Sequence, residues 1–332
     1  MRHLRAMSIA SVLALTGCDD STTSEAPQAD ASAPPIAIDG AAPPAPPPPG
    51  QDAAAPGPLT PAGLYVTDYS SSAVLRLDLE DGTIQKTYGK LGTGVGEFSR
   101  AVGLAVTDRH IFVADRSNHR IVRLVDLADA DWKEWKISDT AEPYDVAAYA
   151  APDGSEKLLF SDYTAKKYFF GDGIAFAGAP TAGATIQFNA CGVALKAGGE
   201  AASAGCSSAF ASNVIFVPSS GAELHKDGFN RPDALAYMPD GTLLIADTGN
   251  NRVACALGPS AGKFGSTGIN TDLQFQGLAA VTADAKGRIY VADSGRNRIV
   301  RFDDCKGTNP KVLFDDQPTI RQIARIAAIG PR

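Results

Sequence analysis

The chain has 332 residues, of which 44% are hydrophobic, and a formal net charge of −7. This length accommodates one large domain or two domains of ordinary size. The 33 glycines and 22 prolines favour turns and strands over long amphipathic helices. An acidic surface repels phosphate backbones, so the composition argues against nucleic acid as a partner.

The first eighteen residues have the pattern of a bacterial export signal. Arg2 and Arg5 precede an apolar stretch (6–15) that is too short to form a stable membrane-spanning helix. The stretch runs into Leu-Thr-Gly-Cys18, which resembles the bacterial lipobox. The resemblance implies that residues 1–17 are a signal peptide removed on export and that acyl chains on Cys18 anchor the protein to a membrane. The predicted location is the cell envelope, either periplasmic or surface-exposed.

Two points about this signal stay open. A cysteine that follows an ordinary signal peptide by chance would give the same four letters. Asp19 and Asp20 resemble the signal that retains lipoproteins in the inner membrane of enteric bacteria. Because that rule varies among lineages, the sequence does not choose between inner and outer membrane.

Residues 19–62 are dominated by Pro, Ala, Ser, Thr and Asp and include consecutive prolines at 46–49. Such a stretch has no apolar period from which to build a core, so it is predicted to be disordered or to adopt polyproline II. The sequence therefore divides into a signal peptide (1–17), a lipidated cysteine with a disordered linker (18–62), and a folded domain (63–330).

From residue 64 onward the sequence repeats itself. In three close copies an apolar strand follows a Phe, a second strand ends in Ala-Asp, and an Arg stands five residues after that Asp. The Phe residues of these copies are Phe98, Phe229 and Phe275. Weaker copies begin near residues 143 and 188, and a partial copy opens the domain at 64–77.

The close copies resemble the NHL repeat, whose signature is a strand ending in Val-Ala-Asp followed by Asn-x-Arg-Ile/Val. The resemblance covers about residues 64–328 and implies an all-β fold, a β-propeller with one four-stranded blade per roughly 40–47 residues and hence six blades. The partial first unit lacks a strand, and the apolar segment 323–329 is predicted to supply it, so that N- and C-terminal strands close the ring. A C-terminal helix packed on the outside is the alternative.

The Asp and Arg of each repeat are predicted to be structural, and no catalytic residue is assigned. The acids are Asp115, Asp247 and Asp293, with Asp68 and Asp162 in weaker copies, and the bases are Arg120, Arg252 and Arg298. Such an Asp can accept backbone N–H groups of the following turn, and the Arg can pair with a carboxylate of its own or a neighbouring blade. Because parts that recur build the fold, function is expected where the blades differ.

The segments that lead into the innermost strands should meet around the central channel on one face of the propeller. The polar residues predicted to crowd this rim are Arg100, Glu142, Tyr144, Asn189, Arg231, Asp233 and Gln276. Both charges, an amide and a phenol suit a protein, peptide or glycan ligand. The preferred function is a membrane-anchored, extracytoplasmic binding scaffold; a solvated rim with no specific ligand is the alternative.

A metal-dependent propeller enzyme is the alternative function. The segment around Asp233 is similar to one in gluconolactonase-like hydrolases, which hold a divalent metal with several acidic and amide side chains. One carboxylate cannot hold Ca²⁺, and the equivalent positions here are Val102, Tyr144, Cys191 and Ala279. Peptide-amidating lyases hold zinc with several His, but the mature chain has them at non-equivalent positions: His110, His119 and His225. No metal site and no cofactor are predicted.

Four cysteines follow Cys18, and an even number in an oxidising compartment is compatible with disulfides. We predict a bond between Cys191 and Cys206, which flank a hairpin formed around an insert at 196–205. We also predict a bond between Cys255 and Cys305, which lie in or just after the third strands of adjacent blades. Each pair needs Cα atoms within about 7 Å, and free buried thiols are the alternative.

Overall fold

A computed structural model describes residues 60–151, 153–176, 180–185, 189–206, 212–217, 224–256, 268–269, 275–316 and 318–330. Within these residues the chain forms β-strands joined by turns and by three single-turn 3-10 helices, Arg116–Asn118, Thr248–Asn250 and Ser294–Arg296. No helix in this described part is long and apolar enough to cross a membrane. The predicted signal peptide, the predicted acylation site at Cys18 and the linker as far as residue 59 lie outside it.

The described strands form six four-stranded antiparallel sheets and one short two-stranded ladder. Sheet 1 contains β1 (Gly63–Asp68), β2 (Ala73–Leu77) and β3 (Ile84–Tyr88), and the ladder after it pairs β4 (Lys90–Leu91) with β5 (Glu97–Phe98). Sheet 2 contains β6 (Ala101–Val106), β7 (Ile111–Asp115), β8 (Arg120–Val125) and β9 (Ala128–Lys136). Sheet 3 contains β10 (Pro143–Ala150), β11 (Glu156–Asp162), β12 (Lys167–Asp172) and β13 (Thr181–Thr185).

The remaining sheets continue in the same order along the chain. Sheet 4 contains β14 (Ala190–Leu195), β15 (Ala201–Gly205), β16 (Ser212–Val217) and β17 (Leu224–Phe229). Sheet 5 contains β18 (Pro232–Tyr237), β19 (Leu243–Asp247), β20 (Arg252–Ala256) and β21 (Gly268–Ile269). Sheet 6 contains β22 (Leu278–Ala283), β23 (Ile289–Asp293), β24 (Arg298–Phe302) and β25 (Lys311–Asp315). The last strand, β26 (Ile323–Ile329), returns to sheet 1.

One edge strand of each sheet lies innermost, and these strands pack side by side around a closed ring in the order β6, β10, β14, β18, β22 and β26. This arrangement is a β-propeller. β26 pairs antiparallel with β1, with Ile326 opposite Val66. The predicted pairing of the two ends is therefore confirmed, and the alternative of an external C-terminal helix is wrong.

The hydrophobic core lies between neighbouring sheets. The second strands are buried on both faces; every residue of β7, for example, is buried. A strand covered on both faces reads as a continuous apolar run because neither set of alternating side chains meets water. Between sheets 2 and 3 the filling is aromatic, with Phe112, Trp135, Phe160 and Phe176 in one cluster.

Sheet 4 differs from the prediction. The supposed insert at 196–205 contains the hairpin and the second strand, β15, and the segment from Val214 belongs to the third strand, β16. The residues of β15 (Ala-Ala-Ser-Ala-Gly) have low strand propensity, which is why the sequence did not reveal them as a strand. All five are nevertheless buried.

Both predicted disulfides are present. Cys191 and Cys206 face each other across the β14–β15 hairpin with Cα atoms 5.7 Å apart. Cys255 in β20 bonds to Cys305, which follows β24, with Cα atoms 6.1 Å apart. The first bond fastens a single sheet, and the second joins sheets 5 and 6.

Candidate functional site

The recurrent Asp holds together the loop region of its own sheet. In sheet 2, Oδ1 of Asp115 accepts the backbone N–H of Ser99 at 2.7 Å, and Oδ2 accepts Nε of Arg120 at 2.8 Å. Sheets 5 and 6 repeat both bonds through the acids Asp247 and Asp293. The described contacts thus give the motif a structural part.

The hydrogen-bond partners of the recurrent Asp differ in part from the prediction. In the three close copies the Asp accepts a backbone N–H group from the segment before the innermost strand, because both lie at the same end of the sheet. The following turn contributes side chains instead of backbone groups: Nδ2 of Asn118 donates to Asp115, and Nδ2 of Asn250 donates to Asp247. Bonds from backbone groups of the following turn occur in the weaker copies: Asp68 accepts the N–H of Ser70, and Asp162 accepts those of Thr164 and Ala165. Each Arg pairs with the Asp of its own sheet.

A cavity of about 410 Å³ opens where the innermost strands begin, at one mouth of the central channel. We call it the mouth cavity. Its walls come from the starts of innermost strands and from the turns after second strands, namely Tyr69, Val102, Arg116, Tyr144, Arg231, Asp233, Thr248, Gly277, Leu278, Ala279, Ser294, Gln322, Ile323, Ala324 and Arg325. Small residues such as Gly277, Ala279 and Ala324 leave the space, and charged and aromatic residues of several sheets face it.

The floor of the mouth cavity is the side chain of Arg325, which is only 4% exposed. Its Nη1 donates to the carbonyl oxygen of Ala279 at 2.7 Å, and its Nη2 donates to that of Asp233 at 2.9 Å. Nε lies 3.3 Å from Oδ1 of Asp145. One guanidinium thus contacts the innermost strands of sheets 3, 5 and 6 from its place in sheet 1.

Asp145 is buried opposite Arg325, and burial raises its pKa from 3.8 to about 6. The attraction of Arg325 and the backbone N–H groups of Val146 and Val193 act in the other direction. Burial lowers the pKa of the Arg325 guanidinium, but the negative charges of Asp145 and Asp233 raise it by more, so the net shift is upward. The two side chains form a buried ion pair across the channel.

Tyr144 and Arg116 form the aromatic wall of the mouth cavity. The rings of Tyr144 and Tyr163 stack with centroids 5.4 Å apart, and the Arg116 guanidinium lies 5.3 Å from the Tyr144 ring. Arg116 also pairs with Glu142 at 2.8 Å. The charge of Asp233, followed by burial, raises the pKa of Tyr144 to about 12, so its hydroxyl stays protonated at neutral pH.

The seven predicted rim residues are distributed unevenly. Tyr144, Arg231 and Asp233 line the mouth cavity. Three others stand directly before an innermost strand but outside the lining: Arg100, Glu142 and Asn189. In sheet 6 the residue directly before the innermost strand is Gly277, and Gln276 lies one position earlier. Gly277 has no side chain and leaves open space in the mouth cavity.

Arg325 and Asp145 were not predicted to belong to the site. Each is the third residue of its innermost strand. A β-bulge at the start of these strands, between Pro143 and Val146 in β10 for example, turns this position toward the channel. Four of the six residues at the position are small, and they are Gly103, Gly192, Ala234 and Ala280. A charged residue at a position otherwise filled by Gly or Ala was the available signal.

Comparison with protein families identifies NHL repeats at residues 98–124, 229–256 and 275–302, the three close copies. Comparison with curated protein sequences finds no match. Sequence comparison therefore assigns the repeat and leaves the ligand open.

Several solved structures are similar in fold. A chain of a nidogen–laminin complex has a TM-score of 0.63 at 16% identity, over 80% of this chain and 98% of that one. A protein of unknown function from Bacteroides caccae has a TM-score of 0.56 at 13% identity, over 81% and 98%. A catalytically inactive virginiamycin B lyase from Staphylococcus aureus, solved with quinupristin, has a TM-score of 0.51 at 13% identity, over 80% and 87%. At these identities the similarity shows the fold alone: the chain is a β-propeller that contains NHL repeats.

Proposed function

We propose that the chain is a membrane-anchored, extracytoplasmic binding scaffold, a six-bladed NHL propeller whose ligand occupies the mouth cavity. The six four-stranded sheets support the blade count. The mouth cavity carries the functional proposal, because charged and aromatic side chains of several sheets converge on it. Its volume of about 410 Å³ falls within the usual range of ligand pockets, roughly 300–1,000 Å³. Its polar groups are held in place by the buried contacts of Arg325.

The chemistry of the walls favours a protein, peptide or glycan ligand. Tyr144 offers an aromatic face and a protonated hydroxyl, Asp233 offers a carboxylate, and Arg116 and Arg231 offer guanidinium groups. Aromatic and Arg side chains at the centre of an interface contribute most of the binding energy in protein complexes. The chain of similar fold in a nidogen–laminin complex is compatible with a protein partner.

An anchor at Cys18 would leave the mouth cavity accessible. At the start of the described chain, the N–H of Thr60 donates to the carbonyl oxygen of Asp108, in the turn after β6. The mouth cavity lies at the opposite end of β6. A linker that ends before Thr60, at roughly 3 Å per residue when extended, would reach up to on the order of 100 Å from the bilayer.

The binding site is tested by cross-linking and recovery of partners from envelopes that carry the full-length chain. We expect Tyr144→Ala to reduce recovery of the partner at least about tenfold, as loss of a central aromatic anchor does. The matched control is Tyr237→Ala, which changes a tyrosine at the opposite end of an innermost strand. Equal loss with both variants, or equal recovery with both, would exclude the mouth cavity as the binding site.

The anchor is tested by fractionation. The Cys18→Ser protein should move from the membrane fraction to the soluble envelope fraction, and a variant that still sediments with membranes would show that lipidation is not the anchor. One Ca²⁺ or Zn²⁺ per chain in purified protein with both disulfides intact would instead favour the metal-dependent enzyme.

A further inference from the structure

The Cys191–Cys206 disulfide lies beside the mouth cavity. A carboxylate oxygen of Asp233 and the two sulfur atoms all lie within 4.8 Å of one another. Asp233 lines the mouth cavity, Cys191 is fully buried, and Cys206 is partly exposed. Among the described residues, these form the one group of three or more acidic, His and Cys side chains whose ligand atoms lie close enough to share a metal ion.

The backbone brings these residues together through a close approach of two innermost strands. A Cβ atom at Gly192 would lie 2.8 Å from the carbonyl oxygen of Asp233, so only glycine allows β14 to lie this close to β18. Cys191 is the residue before Gly192 in β14, and Asp233 of β18 itself supplies the carbonyl oxygen of this contact. The hairpin of β14 and β15 then places Cys206 on the same side.

We propose that reduction of the Cys191–Cys206 disulfide creates a zinc-type metal site, with two thiolates and the Asp233 carboxylate as ligands. Tetrahedral coordination at about 2.3 Å separates two thiolate sulfurs by roughly 3.8 Å. Side-chain rotation supplies this separation while the Cα atoms stay 5.7 Å apart. Water from the mouth cavity takes the fourth position, the open one that distinguishes reactive zinc sites from purely structural ones.

The reaction balances with a dithiol as reductant. A thiolate of the dithiol attacks the partly exposed sulfur of Cys206, and Cys191 leaves as a thiolate. The second thiol of the reductant then closes its own disulfide and releases Cys206. Two electrons and two protons thus pass from the dithiol to the protein, and the metal displaces two protons from the two thiols when it binds.

The surrounding charges suit a bound cation. Two thiolates and one carboxylate bring three negative charges to a divalent ion, so one negative charge remains. The buried guanidinium of Arg325 lies 3.5 Å from Oδ1 of Asp233 and offsets part of that charge, because it also pairs with Asp145. The second disulfide provides an internal contrast, because the sulfur of Cys305 is close to the thioether of Met238 and belongs to no such group of ligands among the described residues.

The test is a titration of the chain with Co²⁺ alone, as a spectroscopic probe for zinc, in a Cys255→Ser/Cys305→Ser background. In oxygen-free buffer with a phosphine reductant we expect one Co²⁺ per chain, with the thiolate charge-transfer band and the d–d spectrum of tetrahedral cobalt. Zn²⁺ should displace it. The oxidised chain should show neither band, and Asp233→Asn should weaken Co²⁺ binding by more than about tenfold, since even outer-shell changes cost that much.

Each contrary result overturns the proposal. These results are the absence of a charge-transfer band after reduction, equal bands in the oxidised chain, and unchanged affinity in Asp233→Asn. A reduced chain that no longer unfolds cooperatively would overturn it as well. If the background variant does not fold, the same titration is run on the fully reduced native chain against Cys191→Ser. The experiment involves no ligand of the mouth cavity, so its failure would leave the proposed binding function standing.

Discussion

Nη1 of Arg325 lies 2.7 Å from the carbonyl oxygen of Ala279, which places a charged side chain from the last strand against the innermost strand of the preceding sheet. A second nitrogen of the same guanidinium reaches the carbonyl oxygen of Asp233. These oxygens belong to bulged starts of strands, where the ladder leaves them without their regular partners. At the centre of the propeller, these carbonyl oxygens therefore accept hydrogen bonds from one side chain that contacts several sheets.

Replacing Arg325 should destabilise the whole domain. Arg325→Met leaves the buried carboxylate of Asp145 without its cation, and breaking a buried ion pair in this way costs about 3–5 kcal/mol. The free energy of unfolding, measured with urea, should fall by that amount. Arg321→Ala, a change at an exposed arginine four residues earlier, should leave it nearly unchanged. Equal effects of the two changes would contradict the central role of Arg325.

Removing a repeat carboxylate should also be costly. Asp115→Ala deprives the N–H of Ser99 and the Nε–H of Arg120 of their acceptor, and Arg120 is buried. We expect a loss of about 3 kcal/mol in the free energy of unfolding, as for other buried pairs. The matched control is Asp139→Ala, at an acid whose side chain is 87% exposed. A loss below about 1 kcal/mol would indicate that the recurrent Asp has a part other than a structural one.

The pKa of Asp145 gives its contribution to stability a definite dependence on pH. Burial raises this pKa from 3.8 to about 6, so between these values the folded chain binds more protons than the unfolded chain. The contribution is present in full below the unfolded pKa and is lost as the pH rises through the folded pKa. At about 1.4 kcal/mol per pKa unit, the loss is roughly 3 kcal/mol.

The measurement is the difference in free energy of unfolding between the native chain and Asp145→Asn, followed from acid to neutral pH. It should fall as the pH rises. Asp153→Asn is the control of opposite sign, because hydrogen bonds from Ser155 lower the pKa of exposed Asp153. A flat or rising difference for Asp145→Asn would contradict the raised pKa.

The close approach at Gly192 should tolerate no side chain. In Gly192→Ala the new Cβ meets the carbonyl oxygen of Asp233 at 2.8 Å, so β14 and β18 must separate. We expect a loss of about 1–3 kcal/mol in thermal or urea unfolding, as for overpacked cores. Gly330→Ala is the control, because its Cβ would meet Ala285 at an ordinary 3.6 Å. A neutral Gly192→Ala would show that the two strands can move apart freely.

The repeats made much of this fold predictable. The strands of sheets 2, 5 and 6 follow from the three close copies, and the pairing of β26 with β1 follows from a unit that lacked a strand. Both disulfides were predicted because hairpin flanks and adjacent third strands bring cysteines near each other. In each case a local sequence pattern and the circular arrangement of the repeats are sufficient for the prediction.

The centre of the site could not be predicted in the same way. Alignment on the Phe residues predicts that Tyr144, Cys191 and Asp233 stand just before the innermost strands. They lie within these strands, and the bulges turn the next position toward the channel. Asp145 and Arg325 stand there, and their attraction acts across the ring between residues 180 positions apart in the sequence numbering. A pair of this kind becomes visible only when the ring is closed.

The pairing of β1 with β26 also affects how the domain is made. A chain that is being synthesised presents residue 63 before the rest of the domain and residue 329 after it, so sheet 1 stays one strand short until the whole domain has emerged. Contacts between such distant residues form slowly, because a long loop must close first. Until that moment the inner edge of β1 is unpaired and prone to associate with other chains, which makes the final residues of the domain the ones that end its exposure to aggregation.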